Sequence, residues 1–428
     1  MMFPSLSTEC GRPRLAASPS RRSFAGDDPA LALEQMLAEH PAVAANRAAN
    51  PWCEATDDGR RDVVLFGAGH LGRKTLHGLR QEQVRVVAFA DNCPDRWGTE
   101  IDGLPVVSAV EAVRRFSDGA FVVTVFSPGN RFIDIRDQLH ALGAVRVIPF
   151  AAAAWRYPEN FSPHGWIAPP QDLLARADDI RRAFQLLDDE VSRVLFVDLL
   201  HARLTLDFDD LPQGIPDDQY FPADVRLPVQ GEWVIDGGAY TGDTLERYLQ
   251  VAGPTFGRWL AYEPDPASFR RLHETVASLP SEVRRRVDLR PAALGRVPGV
   301  IRFAGDGSPG SAVDSKGPLE VRVERVDDRV DLLELTSATP ILVKLDVEGA
   351  EADALHGLKS LAERALPALA VCIYHKPNDL FEILLQIASW SSAYRFMIRV
   401  HETDGYDTVL YALPDDVSSR SLRSTDIS

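Results

Sequence analysis

Cysteine is scarce in this chain of 428 residues: Cys10, Cys53, Cys93 and Cys372 stand apart, with no Cys-x-x-Cys pair. That spacing excludes a disulfide framework and a cysteine zinc site, and it fits a reducing, cytoplasmic setting. Long apolar runs are also missing. The longest, such as Leu366–Tyr374, are strand-sized and too short for a membrane helix. Positive charge is in deficit, with 46 Lys+Arg against 62 Asp+Glu and a net charge of −16. A nucleic-acid backbone or an anionic membrane is therefore a poor partner. What remains, 45% hydrophobic and 25% charged residues, is an ordinary globular composition. At about 150 residues per domain the length predicts roughly two or three domains.

Residues 1–26 hold Arg12, Arg14, Arg21, Arg22 and five serines, with Glu9 as the sole acid. Organelle transit peptides share that composition, but a disordered leader is the expectation here. No apolar stretch follows the arginines as it would in a secretory signal. Pro29–Asn50 is alanine-rich with Leu31, Leu33, Met36 and Leu37, which predicts one short helix. Glu54–Arg61 is polar and reads as a linker, closing a leader region over 1–61. Residues 415–428 read as a flexible tail.

Between these ends lie two strand–glycine–helix units. In the first, over 62–150, the apolar run Val63–Phe66 is followed at once by Gly67-Ala68-Gly69-His70-Leu71-Gly72 and a helical stretch from Arg73. This is G-x-G-x-x-G between a strand and a helix, the context that lifts the motif above noise. Val84–Ala90 reads as the next strand and ends on Asp91, near the spacing of a ribose-binding carboxylate. Residues 151–230 differ: an irregular, proline- and aromatic-rich start, helical spacing over Leu173–His201, then loop. They read as a helical connector that covers the next domain's mouth.

The second unit, over 231–414, opens with the strand Trp233–Asp236 and the loop Gly237-Gly238-Ala239-Tyr240-Thr241-Gly242-Asp243. The strand Trp259–Tyr262 ends on Glu263. Further strands are expected at Val287–Leu289, Val300–Phe303, Leu319–Val326, Ile341–Leu345 and Leu369–Tyr374. Arg395–Val400 and Thr408–Ala412 form a closing antiparallel hairpin. The fold class is α/β, with two Rossmann-like doubly wound domains.

The two loops ask for different ligands. The first carries no acid, so Gly67, Gly69 and Gly72 and the following helix terminus suit a pyrophosphate, with Asp91 on the ribose. The second is bracketed by Asp236 and Asp243, which would repel a phosphate and attract a cation. Glu263 can accept two hydrogen bonds from a ribose diol. A nucleoside with a cationic, amino-bearing tail and no phosphate describes S-adenosylmethionine. Either loop could instead be a plain tight turn; the coincidence of loop, flanking acids and Glu263 argues against that for the second.

Residues 232–413 resemble the FkbM-type S-adenosylmethionine-dependent methyltransferases. The likeness rests on Val234-Ile235-Asp236-Gly237-Gly238-Ala239-Tyr240-Thr241-Gly242-Asp243-Thr244, Tyr262-Glu263-Pro264-Asp265-Pro266, Val343-Lys344-Leu345-Asp346-Val347-Glu348-Gly349-Ala350-Glu351 and Ile373-Tyr374-His375-Lys376-Pro377-Asn378-Asp379-Leu380. It departs at Tyr240, where methyltransferases generally carry glycine and this family often Asn. The resemblance implies a class I methyltransferase fold, with Asp236, Gly238, Tyr240, Gly242, Asp243 and Glu263 around the cofactor. It also implies methyl transfer to oxygen, commonly a sugar, glycan or polyketide hydroxyl. The first unit resembles small Rossmann-like domains found beside sugar-modifying enzymes, through Phe66–Gly69, Ala90-Asp91-Asn92 and Ile101–Val106, which implies a nucleotide or nucleotide-sugar site.

Lys344, Asp346, Glu348 and Glu351 cluster where a buried strand gives way to a helix, and Asp346 and Glu348 share one face by alternation. Such charges at a central strand's end are costly unless they pair or act. An ion pair plus acids at a helix N-terminus is the bland account. Methyl transfer to a hydroxyl needs a group that takes its proton, and either Asp346 or His375 suits that role. A divalent metal held by Asp346, Glu348 and Glu351 is the lesser alternative, since no histidine stands at ligand spacing among them, and the expectation is no metal. The hydrophilic loop Gly305–Gly317 reads equally as a rim of the site or as a plain connection. The competing functions are an NAD(P)- or nucleotide-sugar-dependent oxidoreductase using the first unit, or a binding module. Against the former, no Tyr-x-x-x-Lys pair follows that unit.

Overall fold

The computed structural model describes residues 28–415, apart from 163, 216–218, 228–231, 306–311, 314–316 and 333–334. The expected disordered leader (1–26), most of the flexible tail and most of the Gly305–Gly317 loop fall outside the described residues.

Two parallel sheets dominate. The first joins β1 (Val63–Phe66), β2 (Val86–Ala90), β3 (Glu100–Ile101), β4 (Leu104–Val107), β5 (Ala120–Val123) and β6 (Arg146–Pro149) in the order β3-β4-β2-β1-β5-β6. All pairs are parallel except the β3–β4 hairpin, whose turn places Asp102 and Gly103 at positive φ. β1 is buried at every position and so reads as a continuous apolar run, as a strand covered on both faces must.

The strands of the second unit are β7 (Trp233–Gly237), β8 (Arg258–Tyr262), β9 (Val287–Arg290), β10 (Ala292–Leu294), β11 (Gly299–Ala304), β12 (Ala312–Val313), β13 (Leu319–Glu324), β14 (Ile341–Leu345), β15 (Ala368–Cys372), β16 (Tyr394–Val400) and β17 (Thr408–Pro414). Seven of these align as β16-β17-β15-β14-β7-β8-β9. β17 runs antiparallel between β15 and β16, forming the expected hairpin. This strand order, with one reversed strand, is the class I methyltransferase arrangement. β14 and β15 are buried at every position.

Three sequence expectations change. Val300–Phe303 and Leu319–Val326 do not extend the main sheet. They fall in β11 and β13 of a separate sheet ordered β10-β13-β11-β12, where β11 pairs antiparallel with β13. Exposed positions alternating with buried Val321 and Val323 give that sheet one wet face, unlike the central strands β14 and β15, which are buried throughout. The single helix expected over Pro29–Asn50 is divided into Pro29–Leu37 and Pro41–Ala48, and a third helix, Asn50–Thr56, occupies part of the expected linker. Each has proline in its first turn, where a missing N–H does no harm. The irregular start of the connector contains helices Phe150–Arg156 and Pro158–Phe161.

The connector is stitched to the second sheet. Helix Glu190–Thr205 lies along edge strand β16, where Ile398 donates its N–H to Ser192 Oγ at 2.8 Å and Arg399 pairs with Asp189 at 2.7 Å. Covering an edge strand in this way removes a template for unwanted pairing.

Candidate functional site

The carboxyl ends of β7, β8, β14 and β15 lie along one edge of the sheet, where open α/β sheets bind ligands. Asp236 and Lys344 face each other from β7 and β14, both buried, with Nζ 3.2 Å from Oδ1. Lys344 also donates to the carbonyls of Gly237 (3.2 Å) and Gly238 (2.5 Å), tying β14 to the second glycine loop. Burial opposes its charge, but Asp236, Asp346 and Asp243 outweigh that and keep it protonated.

Gly238 is required as glycine. Its φ is +77°, and a Cβ there would lie 1.8 Å from the Asp346 carbonyl oxygen. Tyr240 has φ 45° in the left-handed region, which explains why glycine or Asn is usual at this place in the resembling family. Its backbone N–H donates to Glu263 Oε2 at 2.8 Å, and Asp265 donates to Oε1 at 2.8 Å. Burial lifts the Glu263 carboxyl to about 7 against these two donors.

Beyond the loop, Asp346 and Glu348 leave the end of β14, and His375 follows β15. Glu348 has φ 53° and Gly349 φ 91°, a tight reversal that turns both acids toward the histidine. His375 Nε2 lies 3.5 Å from Asp346 Oδ1 and 3.5 Å from Glu348 Oε2. Neither contact has hydrogen-bond geometry, so the buried Nε2 and Oδ1 are left without a hydrogen-bond partner. On the ring's other side Nδ1 meets Glu351 Oε1 at 2.8 Å, and that oxygen also accepts from Val347 N and Gly349 N. Burial opposes charge on His375, but Glu351, Glu348 and Asp346 outweigh it and push the imidazole up to about 10. Burial lifts Glu348 to about 8, while Lys344 and His375 overcome burial to keep Asp346 below the ordinary range.

Two neighbours were not legible in the sequence. Tyr220, from the connector, donates to Asp346 Oδ2 at 2.7 Å. Arg203, buried on helix Glu190–Thr205, donates to the carbonyl of Pro377 at 2.9 Å and fixes the turn after His375. Neither sits in a local motif; only tertiary packing brings them in. An aromatic wall continues from His375 through Tyr374 (4.0 Å between centroids) and Tyr406 (5.8 Å) to Phe126 of the first unit (5.1 Å).

At the first loop, Gly67 has φ +112° and a Cβ at Gly72 would lie 2.0 Å from the Gly67 carbonyl. Gly69 is different: nothing stands within 4 Å of a Cβ built there, so no protein atom demands glycine. Asp91 accepts from Ala68 N (2.9 Å) and Cys93 N (2.8 Å) and pairs with Arg96 at 2.8 Å. The expectation of no metal-ligand set changes too. Asp346, Glu348 and His375 each offer an atom within 4.8 Å of the others. The histidine comes from the neighbouring strand, where spacing along the chain could not reveal it.

No helix among the described residues is long and apolar enough to cross a membrane. Comparison with known proteins matches residues 236–398 to the family model described as Methyltransferase FkbM domain. A crystal structure of methyltransferase FkbM from Methylobacillus flagellatus KT superposes with TM-score 0.70 at 21% identity, covering 90% of this chain and all of the other. At that identity the likeness is one of fold. The redox-sensing transcriptional repressor Rex of Roseiflexus sp. (strain RS-1) is 29% identical over 101 residues, 23% of this chain and 46% of that protein. Rex of Bacillus subtilis (strain 168) is 28% identical over 109 residues, 25% of this chain and 50% of that protein. The chain spans about half the length of these curated relatives. Residues 236–398 thus match the Methyltransferase FkbM domain model, on a fold shared with the Methylobacillus flagellatus structure.

Proposed function

We propose that the second unit uses S-adenosylmethionine to methylate a hydroxyl on a sugar, glycan or polyketide-type small molecule. The observation that carries this reading is the acid-lined second loop. Glu263 keeps a lone pair on each oxygen beside its backbone donors and so can accept from a ribose diol. Asp243 faces the tail's amino group, Asp236 holds the loop from beneath through its buried pair with Lys344, and Gly238, Tyr240 and Gly242 shape the loop.

In the reaction the acceptor oxygen attacks the methyl carbon in line with the departing sulfur. The C–O bond forms, the C–S bond breaks, and its electron pair stays on sulfur to give S-adenosylhomocysteine. The hydroxyl proton passes to Asp346, whose Oδ1 is free of hydrogen bonds while Tyr220 holds Oδ2. His375, with charge favoured by three carboxylates, is an electrostatic support in this reading, not the base. Lys344 holds the cofactor loop to β14.

The first unit is read as a nucleotide or nucleotide-sugar site at Gly67, Gly69, Gly72 and Asp91. The open space at Gly69 supports this, and the Rossmann-like reading of the unit is supported by the likeness to Rex, named for redox sensing. The test of the main reading is transfer of labelled methyl from S-adenosylmethionine to a panel of hydroxyl-bearing acceptors by the full chain. Transfer to oxygen that is lost in Asp346→Asn is expected. Transfer only to nitrogen or carbon acceptors, or undiminished transfer in Asp346→Asn, refutes the stated chemistry.

A further inference from the structure

We infer that Asp346, Glu348 and His375 hold a divalent first-row cation where β14 and β15 end. Three observations converge. The first is the shape of the set. Asp346 Oδ1 and Glu348 Oε2 each stand 3.5 Å from His375 Nε2. Metal–oxygen and metal–nitrogen bonds of about 2.0–2.2 Å at an open angle put two ligand atoms roughly that far apart.

The second is that two of the three ligand atoms have no hydrogen-bond partner. The His375 side chain is only 8% exposed, and its Nε2, like Asp346 Oδ1, has no hydrogen bond. A buried imidazole nitrogen aimed between two carboxylate oxygens, without hydrogen-bond geometry to either, is an arrangement a cation completes.

The third is the support behind the set. Nδ1 faces Glu351 Oε1 at 2.8 Å, and Glu351 is itself fixed by the N–H groups of Val347 and Gly349. A carboxylate on the far nitrogen of a ligating histidine fixes its tautomer and orients the lone pair toward the metal. Tyr220 does the same for Asp346 by occupying Oδ2 and leaving Oδ1 toward the site. Two carboxylates with one imidazole make a set of intermediate softness, which suits Mn2+ better than Ca2+ or Cu2+. Three protein ligands leave positions open for water or an acceptor oxygen. An ion on Oδ1 would take that oxygen out of the role of base, so ion and proton compete for Asp346. Ion binding is measured without cofactor or acceptor and so holds or fails separately from the methyl-transfer reading.

The test is a titration of the chelator-treated full chain with MnCl2, following free Mn2+ by its paramagnetic resonance and binding by calorimetry. One Mn2+ per chain is expected, at least tenfold weaker in Asp346→Asn and in His375→Ala. Glu351→Gln, which touches no ion, should weaken binding roughly 10- to 100-fold. Circular dichroism identifies any variant that fails to fold, and the wild-type titration decides without them. No binding tighter than millimolar by the wild-type chain overturns the proposal, leaving His375 as a protonated ring among carboxylates. So does equal affinity in folded variants.

Discussion

Tyr240 donates its backbone N–H to Glu263 across 23 residues of chain, and Ala68 does the same to Asp91 across the same separation. In each case the acid's other oxygen accepts from the residue two places on, Asp265 or Cys93. Both units thus brace a glycine loop against the acid ending the neighbouring strand. The difference lies in what surrounds the brace. Asp91 is further neutralised by Arg96, whereas Glu263 is buried without a cation in direct contact and its carboxyl rises to about 7.

That raised value predicts a pH dependence. The folded carboxyl lies above its ordinary 4.5, so its share of folding stability is full below about 4.5 and is lost as pH rises through about 7. Cofactor binding runs the other way, because hydroxyl donors favour the ionised form. Lys344 and Asp265 are the charged groups acting on it. Affinity for S-adenosylmethionine should be roughly tenfold weaker at pH 6 than at pH 7.5. Calorimetry across that range checks this, and Glu263→Gln should flatten the curve.

Lys344 predicts a stability effect. Lys344→Met leaves Asp236 buried without its partner and should cost about 3–5 kcal/mol in denaturant unfolding. Adding Asp236→Asn should restore a large part of that loss, because the orphaned charge goes with it. A double variant as unstable as the sum of the singles would contradict the pairing.

The glycines predict a contrast. Gly238→Ala puts a Cβ against the Asp346 carbonyl at positive φ and should cost about 2 kcal/mol or more. Gly69→Ala should stay within about 0.5 kcal/mol, since nothing lies near its Cβ. Thermal unfolding of the two variants separates them. Gly69→Val should likewise fold, and lose whatever nucleotide the first loop takes.

Tyr240 holds a left-handed conformation that Asn and glycine adopt more easily. Tyr240→Asn should therefore stabilise the chain by about 1 kcal/mol while keeping the bond to Glu263, which is made by backbone. A raised denaturant midpoint with cofactor affinity retained is the expected result.

Much of this was legible in the sequence for a physical reason. β1, β7 and β14 are short apolar runs ending on glycine or acid, and in a doubly wound sheet such ends face the ligand. Asp236, Glu263, Asp346 and His375 were found that way. Tyr220 and Arg203 were not, since loop and helix residues carry no period that reveals which strand end they reach. His375 was legible as a neighbour of the Asp346–Glu348 cluster, but its aim between the two carboxylates was not, since side-chain packing sets it. The separate sheet around β13 was missed because alternation marks a half-buried strand without saying which sheet it joins.

The central claim is that the second glycine loop and Glu263 bind S-adenosylmethionine. Calorimetric titration of the full chain with that cofactor tests it most directly, beside Glu263→Ala. The account predicts one site per chain in the wild type, and a loss of roughly 1.5–3 kcal/mol in binding for the variant. No binding by the wild-type chain, or equal affinity in a folded Glu263→Ala, would contradict it.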